Sequence, residues 1–343
     1  MVRSDRQGRI GRRDFTRLAI ASALAWPAAA RAQDRIRIVG LLVGLPLNDL
    51  LTEASSSAAS SGSRIPEFKR DLARFGWIEG RNLRIEIRST FGGEAARAAA
   101  IKDLIVLKAD VMLTAGVVDT VALLAMTQTI PIVFGSAADP VGSGFVSSLA
   151  RPGGNVTGYT NGDAAIGGKW LQFLKEANPA ISRVGVLFNP PSAPRAGRYF
   201  LDPIEEAARA IGVAISPLPV TAPGQFDAAI GSHAGREGGL IVPPDSFSVV
   251  YRQVVVDTAA RHRVTAIYPY RYFTDVGGLM SYSAVPEVKA ATYVNLILRG
   301  AKAGDLPVQS PRKYELRINQ KAAEQLGLKL PAALLARADD ISA

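Results

Sequence analysis

Residues 133–146 read VFGSAADPVGSGFV, and this stretch decides the architecture. Pro131, Ile132, Val133 and Phe134 form a short apolar run behind a proline, the pattern of a buried parallel strand. Gly135, Ser136, Ala137 and Ala138 follow as a small polar loop whose backbone a ligand can approach closely. Asp139 is suited to cap the next turn and Pro140 to open a helix. Strand, small loop and helix start, in that order, place a binding site here. Ligands of open α/β sheets sit beyond the carboxyl ends of the strands.

Outward from this point the chain repeats one pattern. Upstream, strands are expected at 36–43, 82–89 and 110–114, with helices at 66–75, 94–107 and 118–127 between or after them. A strand at 155–159 closes this half. Downstream, the reading is helix 167–177, strand 183–188, helix 196–211, strand 213–218, helix 225–233 and strand 239–242. Helix 249–261, strand 264–268, strand 278–283 and helix 287–299 follow, and a tail from 307 adds strand 313–318 and helix 320–326. Strand–helix alternation at this spacing predicts parallel sheets with helices on both faces. Two such runs of five strands predict two similar α/β lobes, and a ligand site in the cleft between them.

Composition narrows the chemistry. Of 343 residues, 48% are hydrophobic and 20% charged, which is globular composition with length for two domains of ordinary size. No uninterrupted apolar run reaches the roughly 18–20 residues of a membrane-spanning helix. The net charge of +10 invites a nucleic-acid partner. However, residues 1–32 hold seven arginines against two aspartates, so half of that charge lies in the N-terminal segment and the rest is scattered. No nucleic-acid partner is expected. Residues 1–32 read as an export signal: basic residues ending in Arg12-Arg13-Asp14-Phe15, an apolar segment at 18–27, and Ala30-Arg31-Ala32 as a cleavage site near Ala32. The paired arginines resemble a twin-arginine signal, with Gly11 in place of the usual Ser/Thr and Thr16 in place of the usual apolar residue. The mature protein is then periplasmic, begins near Gln33 and has no direct membrane insertion. With no cysteine, an N-terminal lipid anchor is excluded as well.

No catalytic residues and no cofactor are expected. The absence of cysteine excludes disulfides and thiolate metal sites, and the two histidines, His233 and His262, lack ligand spacing, so no metal site is expected. There is no phosphate-binding P-loop, no G-x-S-x-G elbow and no dinucleotide fingerprint. What does stand out is polar and aromatic residues at strand ends. These are Ser136 and Asp139; Thr160, Asn161 and Asp163; Asn189; Asp245, Ser246 and Phe247; and Tyr268, Tyr270, Tyr272 and Phe273. Each has a plainer reading. The aspartates precede helices and can act as caps, Asn189 precedes two prolines and can be a turn residue, and the aromatic cluster can be core. Together they fit a cleft with hydrogen-bonding groups for a zwitterion or amide and aromatic walls.

Several longer motifs carry a resemblance. They are FGWIEGRNL (75–83), IPIVF (130–134), DPVGSGFV (139–146), LARPGGNVTG (149–158), GKWL (168–171), VLFNP (186–190) and ARAD (336–339). In order and spacing they resemble the ABC transporter substrate-binding proteins of the family that includes tryptophan- and tyrosine-binding members. The resemblance implies a type I periplasmic binding protein: two Rossmann-like three-layer lobes with a hinged cleft that closes on a small-molecule ligand. It also implies partners, an ABC permease and its ATPase in the inner membrane. On that basis residues 33–160 with about 280–306 form the first lobe, and 161–279 with about 307–343 the second. Relative to the common pattern, the Ser/Ala-rich loop at 45–63 is lengthened where it faces the cleft.

Carried over, the ligand-binding residues are Gly116 and Val117 beside Ala115, then Ser136, Asp139, Thr160, Asn161, Asn189, Asp245 and Tyr270. Asp139 or Asp245 is expected to face a ligand ammonium, and Ser136 or the Gly116 amide a carboxylate. The implied ligand is an aromatic amino acid or related acid. Two other uses of the same lobes are a sensor for a membrane receptor, told apart by a neighbouring kinase or chemoreceptor gene, and an enzyme, told apart by turnover of the bound ligand.

Overall fold

In the computed structural model, residues 35–44, 65–114, 116–285 and 289–342 are described. The expected export signal at 1–32, the loop at 45–63 and Ala115 lie outside them. The first sheet consists of β1 (Arg37–Val43), β2 (Leu83–Ser89), β3 (Val111–Thr114), β4 (Ile132–Ala137) and β5 (Val156–Thr160), all parallel, in the order β2-β1-β3-β4-β5. Between these strands run α1 (Ile65–Arg74), α2 (Glu94–Val106) and α3 (Val117–Met126). β1 reads RIVGLLV because an inner parallel strand is buried on both faces. β2 lies at the edge and alternates. Its Arg84 and Arg88 both bond Glu86, and this charged row blunts an edge that could otherwise pair with another chain.

The second sheet repeats the order. β6 (Arg183–Phe188), β7 (Ala214–Pro219), β8 (Gly238–Ile241), β9 (Thr265–Tyr268) and β10 (Met280–Val285) run parallel as β7-β6-β8-β9-β10. The helices of this half are α4 (Ile166–Ala177), α5 (Arg198–Ile211), α6 (Phe226–Gly231), α7 (Ser246–Val250), α8 (Arg252–Arg261) and α9 (Arg271–Thr274). The chain then returns to the first half as α10 (Ala290–Leu298), which packs beside α1. Finally β11 (Lys313–Asn319) adds antiparallel to β10, α11 (Gln320–Gln325) and α12 (Ala332–Leu335) follow, and β12 (Asp340–Ser342) lies parallel to β11.

Each half has its own apolar core on both faces of its sheet. Val39, Leu72, Val133 and Val294 lie in one cluster of the first half, and Leu104, Met112, Leu123 and Phe134 in the other. Trp170, Leu174, Val186 and Ile204 lie in one cluster of the second half, and Phe226, Leu240, Tyr268 and Phe273 in the other. Burying each such side chain is worth about 1.5–3 kcal/mol.

Several expectations need correction. Residues 135–137 are not a loop: they extend β4, and the register to β5 shifts between Phe134 and Ala137. Pro140 opens a single closed turn, not a helix. The amides of Ser143 and Phe145 fold back on the carbonyls of Asp139 and Pro140, and Gly144 at φ +76° turns the chain away. The helix expected at 249–261 breaks at Tyr251 into α7 and α8. The strand at 280–285, expected with the first lobe, pairs with β9 and β11 in the second sheet, because its apolar face joins the Trp170 core. By Lys289, whose carbonyl accepts the Tyr159 hydroxyl at 3.2 Å, the chain is again with the first half. It stays with the first half through Gln309, which bridges to Tyr159 beside β5.

Candidate functional site

The stretch that organised the sequence reading is also the junction of the two halves. Ala138, 2% exposed, belongs to the core that contains Trp170. The amide of Asn161 donates to the Ala137 carbonyl at 3.3 Å, and its side-chain Nδ2 donates to the Tyr270 hydroxyl at 3.3 Å. One asparagine therefore ties the end of β4, the first crossing segment and the residue after β9. Tyr199 on α5 closes the same junction. Burial, and then the Asp139 and Asp163 carboxylates, push its phenol above the usual range, while the backbone N–H groups of Ala164 and Asp139 pull it down.

On the first half, Gly116 caps α3 in an extended conformation and no side chain caps that helix. Its first-turn N–H groups are the donors a helix leaves unused at its start. Gly116 and Val117 follow β3, and Ser136 lies at the end of β4, the adjacent strand. Among the described residues, the Ser136 hydroxyl has no hydrogen-bond partner. Thr160 ends β5, and its amide donates to the Gln309 carbonyl at 2.8 Å. Asp139 sits at φ +49°, and its Oδ1 accepts the Gly142 amide at 2.9 Å, so it acts as a cap.

On the second half, two expected residues serve the fold. Asp245 is 6% exposed and caps α7. It accepts the Ser248 amide at 2.7 Å and the Ser248 hydroxyl at 2.8 Å, with the Asn189 amide and Ser192 hydroxyl at 3.4 and 3.3 Å. Burial pushes its carboxyl above the ordinary range, and these four donors oppose the shift. Of the two aspartates expected to face a ligand ammonium, Asp245 is enclosed and accepts all four of these donors from within its own lobe. Asn189 is likewise occupied: Nδ2 donates to the Val220 carbonyl at 2.8 Å and Oδ1 accepts the Ser192 hydroxyl at 2.8 Å. Tyr270 does face the junction, with its ring stacked on Tyr272 at 5.0 Å.

Two clusters escaped the sequence reading. Asp119, at the start of α3, accepts from the Thr90 hydroxyl at 3.1 Å and from Arg97 Nε at 2.9 Å, which pins the loop after β2 to the point where the strand order reverses. Arg252, first residue of α8, lies with its guanidinium carbon 5.9 Å from the Tyr272 ring centre. The helix break at Tyr251 places it there, and periodicity alone draws one unbroken helix. A groove of about 290 Å³ lined by Lys69, Trp77, Ile78 and Leu83 lies at the start of β2, the opposite end of that sheet from the strand ends just described. Among the described residues, no cluster of His, Asp and Glu could hold a metal ion, and no helix is long and apolar enough to cross a membrane.

Known proteins place this architecture. A tyrosine-binding protein of Clostridioides difficile is 23% identical over 286 residues, covering 82% of this chain and 80% of that one. A conserved domain protein from Vibrio cholerae shares the fold at TM-score 0.79 and 24% identity, covering 90% of this chain and 100% of that one. An ABC domain from Streptococcus pneumonia, solved in complex with L-Trp, does so at TM-score 0.77 and 21% identity, covering 89% and 99%. The family model described as ABC transporter substrate binding protein matches residues 62–342. The chain belongs to the ABC transporter substrate-binding protein family and has the two-lobed type I periplasmic-binding-protein fold.

Proposed function

We propose that this protein is the extracytoplasmic solute-binding component of an ABC importer. It takes a small solute between its two lobes and delivers it to a membrane permease driven by a separate ATPase. The observation that carries this reading is the doubled strand order, with Asn161 of the first crossing meeting Tyr270 after β9. Ligands of such sheets lie beyond the strand carboxyl ends, and here the two sets of ends share one junction. The first lobe supplies neutral donors: the α3 amides after Gly116, with Val117 in the first turn, and the hydroxyls of Ser136 and Thr160. The second lobe supplies Tyr270, while Asn189 and Asp245 hold the loops that present it. Bending at the crossing segments closes the lobes.

An aromatic amino acid or related acid is the proposed solute class, supported by the tyrosine-binding relative and the L-Trp complex in the family. Export through the twin-arginine-like signal, with cleavage near Ala32, places the mature protein in the periplasm. The test is mass spectrometry of solute released from protein purified from its own host, followed by thermal melts with L-tyrosine and L-tryptophan. Saturation at 100 times the dissociation constant raises stability by about 2.7 kcal/mol. Protein that releases no solute and melts unchanged with every candidate contradicts the reading.

A further inference from the structure

Two side chains at the lobe junction, Asn161 and Arg252, each keep a buried polar atom without a hydrogen-bond partner among the described residues. Asn161 Oδ1 is buried and has no hydrogen-bond partner, although Nδ2 of the same side chain is held by Tyr270. Arg252 Nε is buried and also has no partner. Among the described residues the Arg252 guanidinium donates once, from Nη1 to the Val249 carbonyl at 3.2 Å, and has no ion-pair partner. A buried donor or acceptor left unmade costs about 1–3 kcal/mol, more when charged, so such groups persist where something outside the chain satisfies them.

These groups are linked in space. Asn161 meets the Tyr270 hydroxyl, Tyr270 stacks on Tyr272 at 5.0 Å, and Arg252 lies over Tyr272. All belong to the carboxyl-end side of the second sheet or to the crossing that leads into it. The comparable cation of the first lobe, Arg97, is different, because its Nε is satisfied by Asp119. Among the described residues, Arg97 is therefore ion-paired, whereas Arg252 keeps a buried Nε without a partner on a planar fork that matches a carboxylate.

We propose that Arg252 is the anion anchor of the cleft. It holds the carboxylate of the solute in the second lobe, while Asn161 Oδ1 accepts an N–H of the same solute at the hinge. The solute is then a carboxylic acid that also carries an N–H donor, with the Tyr270–Tyr272 stack as its aromatic wall. This rests on the solute-binding reading and deepens it. It assigns the carboxylate to a side chain of the second lobe that no motif marked, instead of to Ser136 or the Gly116 amide.

The test is isothermal titration of the full mature protein with four probes: L-tryptophan, L-tyrosine, L-tryptophanamide and 3-indolepropionate. Wild type is compared with Arg252→Gln and Arg252→Lys, and thermal melts check that each variant is folded. Removing a buried, hydrogen-bonded charge partner weakens binding by roughly 30-fold or more. Arg252→Gln is expected to lose that much for the two amino acids and less than about threefold for the amide, with Arg252→Lys between. Asn161→Ala is expected to weaken L-tryptophan more than 3-indolepropionate. Amino-acid binding that Arg252→Gln leaves within twofold overturns the anchor and leaves the solute-binding function standing. Wild type that prefers the amide to the acids does the same. Wild type that binds none of the four contradicts the anchor and the proposed solute class together. If Arg252→Gln fails to fold, folded Arg252→Lys with undiminished affinity for L-tryptophan and no preference for acid over amide overturns the proposal.

Discussion

The two lobes share one strand order and present different chemistry from it. At the ends of β3 and β4 the first lobe places Gly116, Val117 and Ser136, small residues with backbone amides and a hydroxyl. At the ends of β8 and β9 the second lobe places a buried aspartate hub, a tyrosine stack and an arginine. The sheets also finish differently. The first closes beside β5 on the returning segment at 308–309, and the second continues through β11 and β12. A repeated topology fixes where a site lies and leaves its chemistry to the loops.

The two aspartates at those loops separate the lobes most sharply. Asp245→Ala strips the acceptor from Ser248, Asn189 and Ser192, all buried or half-buried, and should cost about 3 kcal/mol or more in urea unfolding. Asp139→Ala removes one cap to Gly142 and should cost about 1 kcal/mol. Equal losses at the two sites would erase the distinction between a hub and a cap.

A second contrast lies at the sheet edge of the first lobe. A Cβ on Gly158 would stand 2.1 Å from the Phe134 carbonyl oxygen, so Gly158→Ala must part β4 from β5. It should cost about 1–3 kcal/mol and also loosen Gln309, whose amide donates to the Gly158 carbonyl at 3.0 Å. Unchanged stability would show that the returning segment is not pinned by this pair. The link between the lobes is weaker than either core. Asn161→Ala, which removes the bond to Tyr270, should cost about 0.5–1.5 kcal/mol without solute.

The smallest expected effect is a pH dependence that belongs to the second lobe alone. His233 is 4% exposed, and burial, with Arg183 adding, lowers its affinity for a proton below the ordinary value of 6.5. The folded state thus binds fewer protons than the unfolded one. The stability it contributes is full above pH 6.5 and falls as pH drops from there through the lower folded-state value. His233→Gln should flatten the wild-type decline over that range in pH-dependent melts, and an unchanged slope would assign the decline to other groups.

Much of this was legible in the sequence. Continuous apolar runs such as RIVGLLV and RVGVLF announce buried parallel strands, and their alternation with helices announces the doubled sheet. The carboxyl-end placement of Ser136, Asn161 and Tyr270 followed from that alternation. What stayed hidden was set by tertiary contacts or by very short elements. Asp245 reads equally as cap or ligand contact until its four donors are seen. Arg252 is masked by a helix break at Tyr251 that leaves the apolar pattern intact. α9, α12 and β12, at four, four and three residues, are too short for periodicity to register. The sheet that claims β10 is decided by which core its apolar face meets, and local pattern does not encode that.

Amide hydrogen exchange with and without saturating L-tyrosine or L-tryptophan tests the central claim most directly, because it reports where a solute sits. The account predicts new protection on both sides of the junction: around 116–118 and 135–139 in the first lobe, across 160–162, and around 249–252 and 270–273 in the second. Protection confined to one lobe, or centred on the groove at 69–85, would contradict it.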